Sequence, residues 1–107
     1  MAGQIKYEER TRTGFKVKEP EMYHVVMYND DFTPMDFVVE ILMSIFNKTE
    51  TEAFQIMYSI HRGTRAVVGT YIYDIAVTKA KEAVKRARQD GYPFRVETEP
   101  ASSSGKN

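Results

Sequence analysis

A chain of 107 residues with 15 basic and 15 acidic side chains carries no net charge, and it contains no cysteine. The length fits one domain with a modest core. The charge balance argues against nucleic acid as the main partner, which requires a basic excess, and the lack of cysteine excludes disulfides, thiolate chemistry and cysteine-ligated zinc. Residues 1–21 and 100–107 are polar and poor in packing side chains, so they read as a flexible N-terminal arm and a disordered tail flanking a core of residues 22–99. No basic-then-apolar leader opens the sequence and no apolar run reaches membrane-spanning length, so the chain reads as soluble and cytoplasmic.

Tyr23–Tyr28 (YHVVMY) is β-branched and aromatic, and predicts a strand covered on both faces. Thr33-Pro34 with Asp36 predicts a helix start in which Thr33 is the N-cap and Pro34 the first helical residue. From Pro34 to about Asn47 the only polar residues are Asp36, Glu40, Ser44 and Asn47, a narrow line at steps of four, four and three. A helix packed on one sheet needs only about a 100° apolar arc, so the surplus here must meet a second packing partner, a pocket or a subunit interface. Thr49 and Glu52 form a capping box that opens a second helix, with Ala53, Ile56, Met57 and Ile60 on one face. Gly63, after His61-Arg62, reads as its stop.

Arg65–Ile72 (RAVVGTYI) predicts a second strand in which Gly69 marks a bulge or a close backbone approach. A third helix is expected from about Asp74 to Gln89. Ala76, Ala80, Ala83 and Ala87 line its packing face, and Lys79, Lys81, Lys85, Arg86 and Arg88 make its outer surface basic. Gly91-Tyr92-Pro93 ends it, and Pro93–Thr98 alternates apolar and polar as a half-exposed third strand. The order is β-α-α-β-α-β, an α+β fold.

Between the first strand and the first helix stand Asn29, Asp30 and Asp31. Such residues commonly make Asx turns and caps, but here Thr33 already supplies a cap, and two adjacent carboxylates repel unless a cation or donors satisfy them. His61, at the end of the second helix, is within one turn of Met57 and Ile60. If the two helices pack side by side, it closes an apolar groove at the same end as Asn29–Asp31. An acceptor-rich rim beside an apolar well with Met35 at its lip suits a cationic amine carried on a hydrophobic residue. A protein α-amino group is mostly protonated near neutral pH and offers only donors, and N-terminal amine capture is a known mode of peptide recognition. No EF-hand, phosphate-binding glycine loop or nucleophile motif is present, so no enzymatic activity and no cofactor or metal are expected. Two other readings remain: a structural domain that dimerises through the surplus apolar face, and metal-dependent hydrolysis at Asp30, Asp31 and His61.

The run Val25–Val38 (VVMYNDDFTPMDFV), the Ile56-Met57 to His61 segment, Arg65–Gly69 (RAVVG) and Ala76–Lys79 (AVTK) together resemble the ClpS family, the small bacterial adaptors of Clp proteases that serve the N-end rule. The resemblance spans about Tyr23 to Thr98. It implies three antiparallel strands with three helices, similar to the C-terminal domain of the ribosomal stalk protein. The function it implies is binding of N-terminal Leu, Phe, Tyr or Trp and delivery to a ClpA or ClpC unfoldase, by a cytoplasmic, monomeric protein. By the same resemblance Asn29, Asp30 and His61 contact the α-amino group, and Asp31 and Thr33 support the rim. Met35 gates the pocket against β-branched residues; Val38, Ile41, Met57 and Ile60 line it; Lys79 and Asp74 face the unfoldase; and the arm before Met22 aids delivery. Three positions depart from the family pattern. Thr64 occupies the usual place of the glycine after the histidine, Ile72-Tyr73 replaces a small polar cap, and Val77 replaces a commonly acidic residue.

Overall fold

The computed structural model describes residues 20–102. Its elements in chain order are β1 (Met22–Tyr28), α1 (Met35–Ser44), α2 (Glu50–Gly63), β2 (Arg65–Ile72), α3 (Tyr73–Gln89) and β3 (Arg95–Pro100). The expected arm falls outside the described residues apart from Pro20 and Glu21, as does the tail beyond Ser102. β1 lies at the centre of an antiparallel sheet of order β2-β1-β3. The β3 ladder runs on to Pro100, opposite Tyr23, two residues past the expected end at Thr98.

Both faces of β1 are covered, by different means. Val25 and Met27 enter the core under the helices, and neither is exposed at all. Val26, on the other face, is only 1% exposed although no helix packs there. Val67 and Glu97 are its cross-strand neighbours there, and long charged side chains run beside them. Arg65, paired with Tyr28, reaches Glu99, paired with His24, in a 2.9 Å salt bridge that passes over Val26. Arg95 binds Glu97 at 2.6 Å, and its guanidinium stacks 4.0 Å from the Tyr28 ring centroid. Exposed ion pairs add little stability as charges; here their aliphatic stems act as the lid.

Gly69 combines both expected features. The β1–β2 register shifts between Val25 and Val26, which face Gly69 and Val67 and leave Val68 as the extra residue of a bulge. The Tyr71 ring lies where a Gly69 side chain would be, with ring carbons 2.7 Å from the position of a Cβ.

The surplus apolar surface of α1 is mostly consumed inside the chain. Ile41 and Leu42 are fully buried, Val38 and Val39 nearly so, and α2 packs along one flank. On the other flank Phe37 meets Tyr92 and Phe94 edge-on, with centroids 4.9 and 6.3 Å away. Only Met35 and Met43 remain substantially exposed, so little face is left for a dimer built on this helix. The helix ends at Ser44 rather than near Asn47. Asn47 instead takes a left-handed conformation (φ 57°), and the Lys48 amide turns back to the Leu42 carbonyl at 3.1 Å. Asn is the usual substitute for glycine in such a stop.

The α2 capping box is present: the Glu52 amide donates to Thr49 Oγ1 at 3.1 Å and the Thr49 amide to Glu52 Oε1 at 2.9 Å. The Thr49 amide is the main cause holding the Glu52 carboxyl below its ordinary range. The other end of α2 departs from expectation. Gly63 is helical, and Thr64 takes the positive φ of 73° with ψ −33°. A β-branched residue there costs roughly 1–2 kcal/mol relative to glycine. Thr64→Gly is therefore expected to raise the melting temperature by about 4–16 °C, measurable by calorimetry; an unchanged or lowered midpoint would show that the turn is unstrained.

α3 begins at Tyr73, one residue earlier than expected, and buries its four alanines against the sheet. Their small size permits close approach. Lys79 is not on the basic outer surface. Its ammonium donates to the Ile45 carbonyl at 2.7 Å and stands 5.7 and 5.5 Å from the Phe46 and Tyr71 ring centroids. A cation at this point satisfies an orphan carbonyl and the negative end of the α1 dipole. Arg86 also grips α1, through Ser44 Oγ at 3.1 Å and Glu40 at 3.6 Å. Arg88 holds the turn into β3 through the Tyr92 and Phe94 carbonyls, at 2.7 and 2.9 Å.

Candidate functional site

The cleft forms where β1 ends, α1 begins and α2 stops. The Asn29 amide donates to the Thr64 carbonyl at 2.8 Å. That bond pins the loop after β1 to the turn after α2, and so brings Asn29 to the end of α2 that carries His61. The strained Thr64 is thus part of the site's frame.

Asp30 organises the loop. Its Oδ1 accepts the Phe32 amide at 2.8 Å and the Thr33 amide at 2.7 Å, while Oδ2 accepts the Thr33 hydroxyl at 2.8 Å. Thr33 is therefore not the helix cap that its type and position suggest. Pro34 occupies the N-cap position with no side-chain cap bond, and Thr33 spends both donors on Asp30. The reason is geometric: a carboxylate three residues upstream closes an Asx turn first. Burial pushes the Asp30 carboxyl up. The two amides, the hydroxyl and the Arg88 guanidinium outweigh it, so the group is held below the ordinary 3.8. Oδ2 retains capacity for a further donor, since a carboxylate oxygen accepts two.

Seven residues line a cavity of about 20 Å³: Asn29, Thr33, Met35, Val38, Met57, Ile60 and His61. All seven belong to the expected site. Asn29 and His61 are exposed at the mouth, whereas Val38, Met57 and Ile60 are buried. Asp30 braces the loop beside them. Asp31 is exposed and does not line the cavity, and Ile41 is fully buried in the core and does not line it either. The volume holds little more than one water, so a large side chain enters only if the walls move. Met35 is 44% exposed and flexible, hence the wall freest to move.

Two contributors were not singled out as site residues. Thr64 supplies the anchoring carbonyl, and its place where a glycine is usual was the available signal. Phe32, 75% exposed on the loop, carried no signal beyond its position. Asp74 and Lys79 lie elsewhere: Asp74 is exposed in the first turn of α3, Lys79 half-buried as described. Among the described residues no three His, Asp or Glu side chains are grouped to hold a metal ion, and no helix is long and apolar enough to cross a membrane.

A carboxylate-braced loop beside a small, largely apolar cavity, on a three-stranded antiparallel sheet with three helices, makes this a small α+β domain with one cleft at the junction of β1, α1 and α2. Comparison with known proteins gives its family. The family model of the ATP-dependent Clp protease adaptor protein ClpS matches residues 18–97. The ClpS adaptor of Paraburkholderia xenovorans is 50% identical over 86 residues, 80% of this chain and 83% of that protein. That of Clostridium acetobutylicum is 38% identical over 96 residues, 90% of this chain and 95% of that one. The structure of Agrobacterium tumefaciens ClpS2 bound to L-phenylalaninamide is 40% identical with a TM-score of 0.75, covering 77% of this chain and 99% of that one. The chain belongs to the ClpS family of Clp protease adaptors, which is not a catalytic family.

Proposed function

We propose that this adaptor binds proteins whose first residue is Leu, Phe, Tyr or Trp, through the free α-amino group and an apolar pocket. It then hands them to a ClpA- or ClpC-type AAA+ unfoldase for degradation by ClpP. The observation that carries the reading is the meeting of Asn29, His61 and the braced Asp30 loop with Met35, Val38, Met57 and Ile60. The ligand of the Agrobacterium neighbour supports it: L-phenylalaninamide joins an apolar ring to a free α-amino group, with an amide where a peptide chain would continue. In this reading Asn29, Asp30 and His61 take the amine, Asp31 and Thr33 support the rim, and the chain acts as a cytoplasmic monomer. The unfoldase docks at the start of α3. There Asp74 is exposed beside Ile72, Tyr73 and Ile75, and Lys79 contributes by fixing α3 to the end of α1. Residues 1–21 serve as the delivery arm.

The pocket half of the reading is tested with two peptides that differ only in their first residue. The one beginning with Phe is expected to bind saturably by calorimetry and the one beginning with Glu to show no binding; equal affinities would refute an apolar pocket. Met35→Ala is expected to admit peptides beginning with Ile or Val, reducing the preference for Phe over Val about tenfold, which corresponds to roughly 1.4 kcal/mol. An unchanged preference would remove Met35 as the gate.

A further inference from the structure

A second groove, of about 590 Å³, runs between α3 and β3 and shares no residue with the amine cleft. Its floor holds Ala80 and Val96, and its walls the half-buried Val77, Val84 and Thr98. The alanine face of α3 packs on the sheet with Val84 half-buried at the edge of the core, and Val77, also half-buried, extends the apolar surface further along the groove. The two valines are seven residues apart, about 10 Å along the helix.

Two independent features indicate what covers this groove. β3, like β2, is an edge of the sheet, and along residues 95–99 it has β1 on one side and no strand on the other among the described residues. An open edge is a template for another extended chain. The rim is basic: Lys81 and Lys85 are exposed one turn apart, while the one acid at the groove, Glu97, is held by Arg95 at 2.6 Å. A second copy of the chain fits poorly, because two-fold pairing through β3 would set the two lysine rims against each other. Residues 103–107 offer no apolar side chain and add a lysine.

We propose that the α3–β3 groove receives an extended, acidic-apolar segment of a partner protein as a fourth strand on β3. Side chains at alternate positions, about 7 Å apart, would point under the flank of α3. Two or three of them span the distance from Val77 to Val84, the apolar ones against the valines and an acidic one between them toward Lys81 and Lys85. A segment of six residues is long enough to run the length of residues 95–99. This surface is separate from substrate capture, and the proposal stands or falls independently of the N-degron reading.

The test uses the full chain, isotope-labelled for amide NMR, and the N-acetylated hexapeptide Thr-Val-Thr-Glu-Thr-Val amide. Its acetyl group blocks amine capture, and its Val, Glu and Val share one face. Saturable shifts confined to the amides of residues 77–85 and 95–99 are expected. Replacing the central Glu of the peptide by Lys is expected to weaken binding at least tenfold. So is the double substitution Lys81→Glu with Lys85→Glu, which leaves the melting temperature and L-phenylalaninamide binding unchanged. The proposal is overturned if no saturable shifts occur, if they fall on the Asn29–His61 cleft, if both peptides bind equally, or if the protein alone dimerises through β3.

Discussion

A peptide beginning with Phe is expected to lose at least a hundredfold in affinity when its α-amino group is acetylated, with sequence, length and side chain unchanged. In the proposed binding mode the free amine is a cation with three donors, and the rim offers it three acceptors: the Asn29 amide oxygen, the spare capacity of Asp30 Oδ2 and a His61 ring nitrogen. Each hydrogen bond involving a charged group contributes about 1.5–3 kcal/mol. Acetylation removes the charge, leaves one donor and places a carbonyl oxygen against the same rim. Losing two such bonds costs about 3 kcal/mol or more, and 1.4 kcal/mol is tenfold. A pH series provides a second readout. The α-amino group titrates near pH 8 while Asp30 stays ionised because its carboxyl is held low, so affinity for the free peptide is expected to fall as pH rises past 8. Equal binding of the free and acetylated peptides, or an affinity flat to pH 9, would refute amine capture while leaving an apolar pocket intact.

Much of the fold was legible because local chemistry and tertiary packing agree. The capping box at Thr49 and Glu52, the alanine face of α3, the bulge at Gly69 and the stop at Gly91 (φ 81°) each follow from one residue type in one backbone situation. Two of the misplacements are side chains that found a stronger partner, through the tertiary fold or an earlier turn, and the third is a backbone stop. Thr33 has the identity of a cap but is taken by Asp30. Lys79 has the spacing of a surface lysine but is drawn to the Ile45 carbonyl, 34 residues away in sequence. Asn47 continues the polar line of α1 but ends the helix instead.

The candidate site divides in the same way. Its seven cavity residues could be grouped from spacing and family resemblance because they lie on two helix faces and one loop. The bond from Asn29 to the Thr64 carbonyl that joins the halves is a backbone contact, which side-chain identity does not encode. Lys79 shows how a position assigned to an outer surface can act from within. Its ammonium, with Arg86 two turns further on, fastens α3 to the C-terminal half of α1. The same helix carries Met35 and Val38 at its other end, so the proposed docking surface on α3 is fastened to the helix that lines the cavity.

Asp30→Ala and Asp30→Asn are expected to separate the two roles of this carboxylate. Alanine removes all three bonds to Phe32 and Thr33. By analogy with the loss of a helix cap this costs about 1 kcal/mol, or a fall of roughly 4–8 °C in melting temperature, together with a loss of amine binding of about a hundredfold. Asparagine keeps a carbonyl oxygen for the two amides and can donate its NH₂ to the Thr33 hydroxyl oxygen, so the loop survives and the melting temperature stays within a few degrees. It removes the charge, however, and turns the oxygen proposed to meet the ligand into a donor. Affinity is therefore expected to fall tenfold or more with little change in stability. The pH dependence of folding carries the same signature. Because the folded-state pKa is depressed, the stability that Asp30 contributes is fully present above its unfolded value of 3.8 and is lost as pH falls through the lower folded value. Both variants should lack that component in acid denaturation. If asparagine binds as tightly as the natural residue, Asp30 is a loop brace alone and the amine must be held by Asn29 and His61.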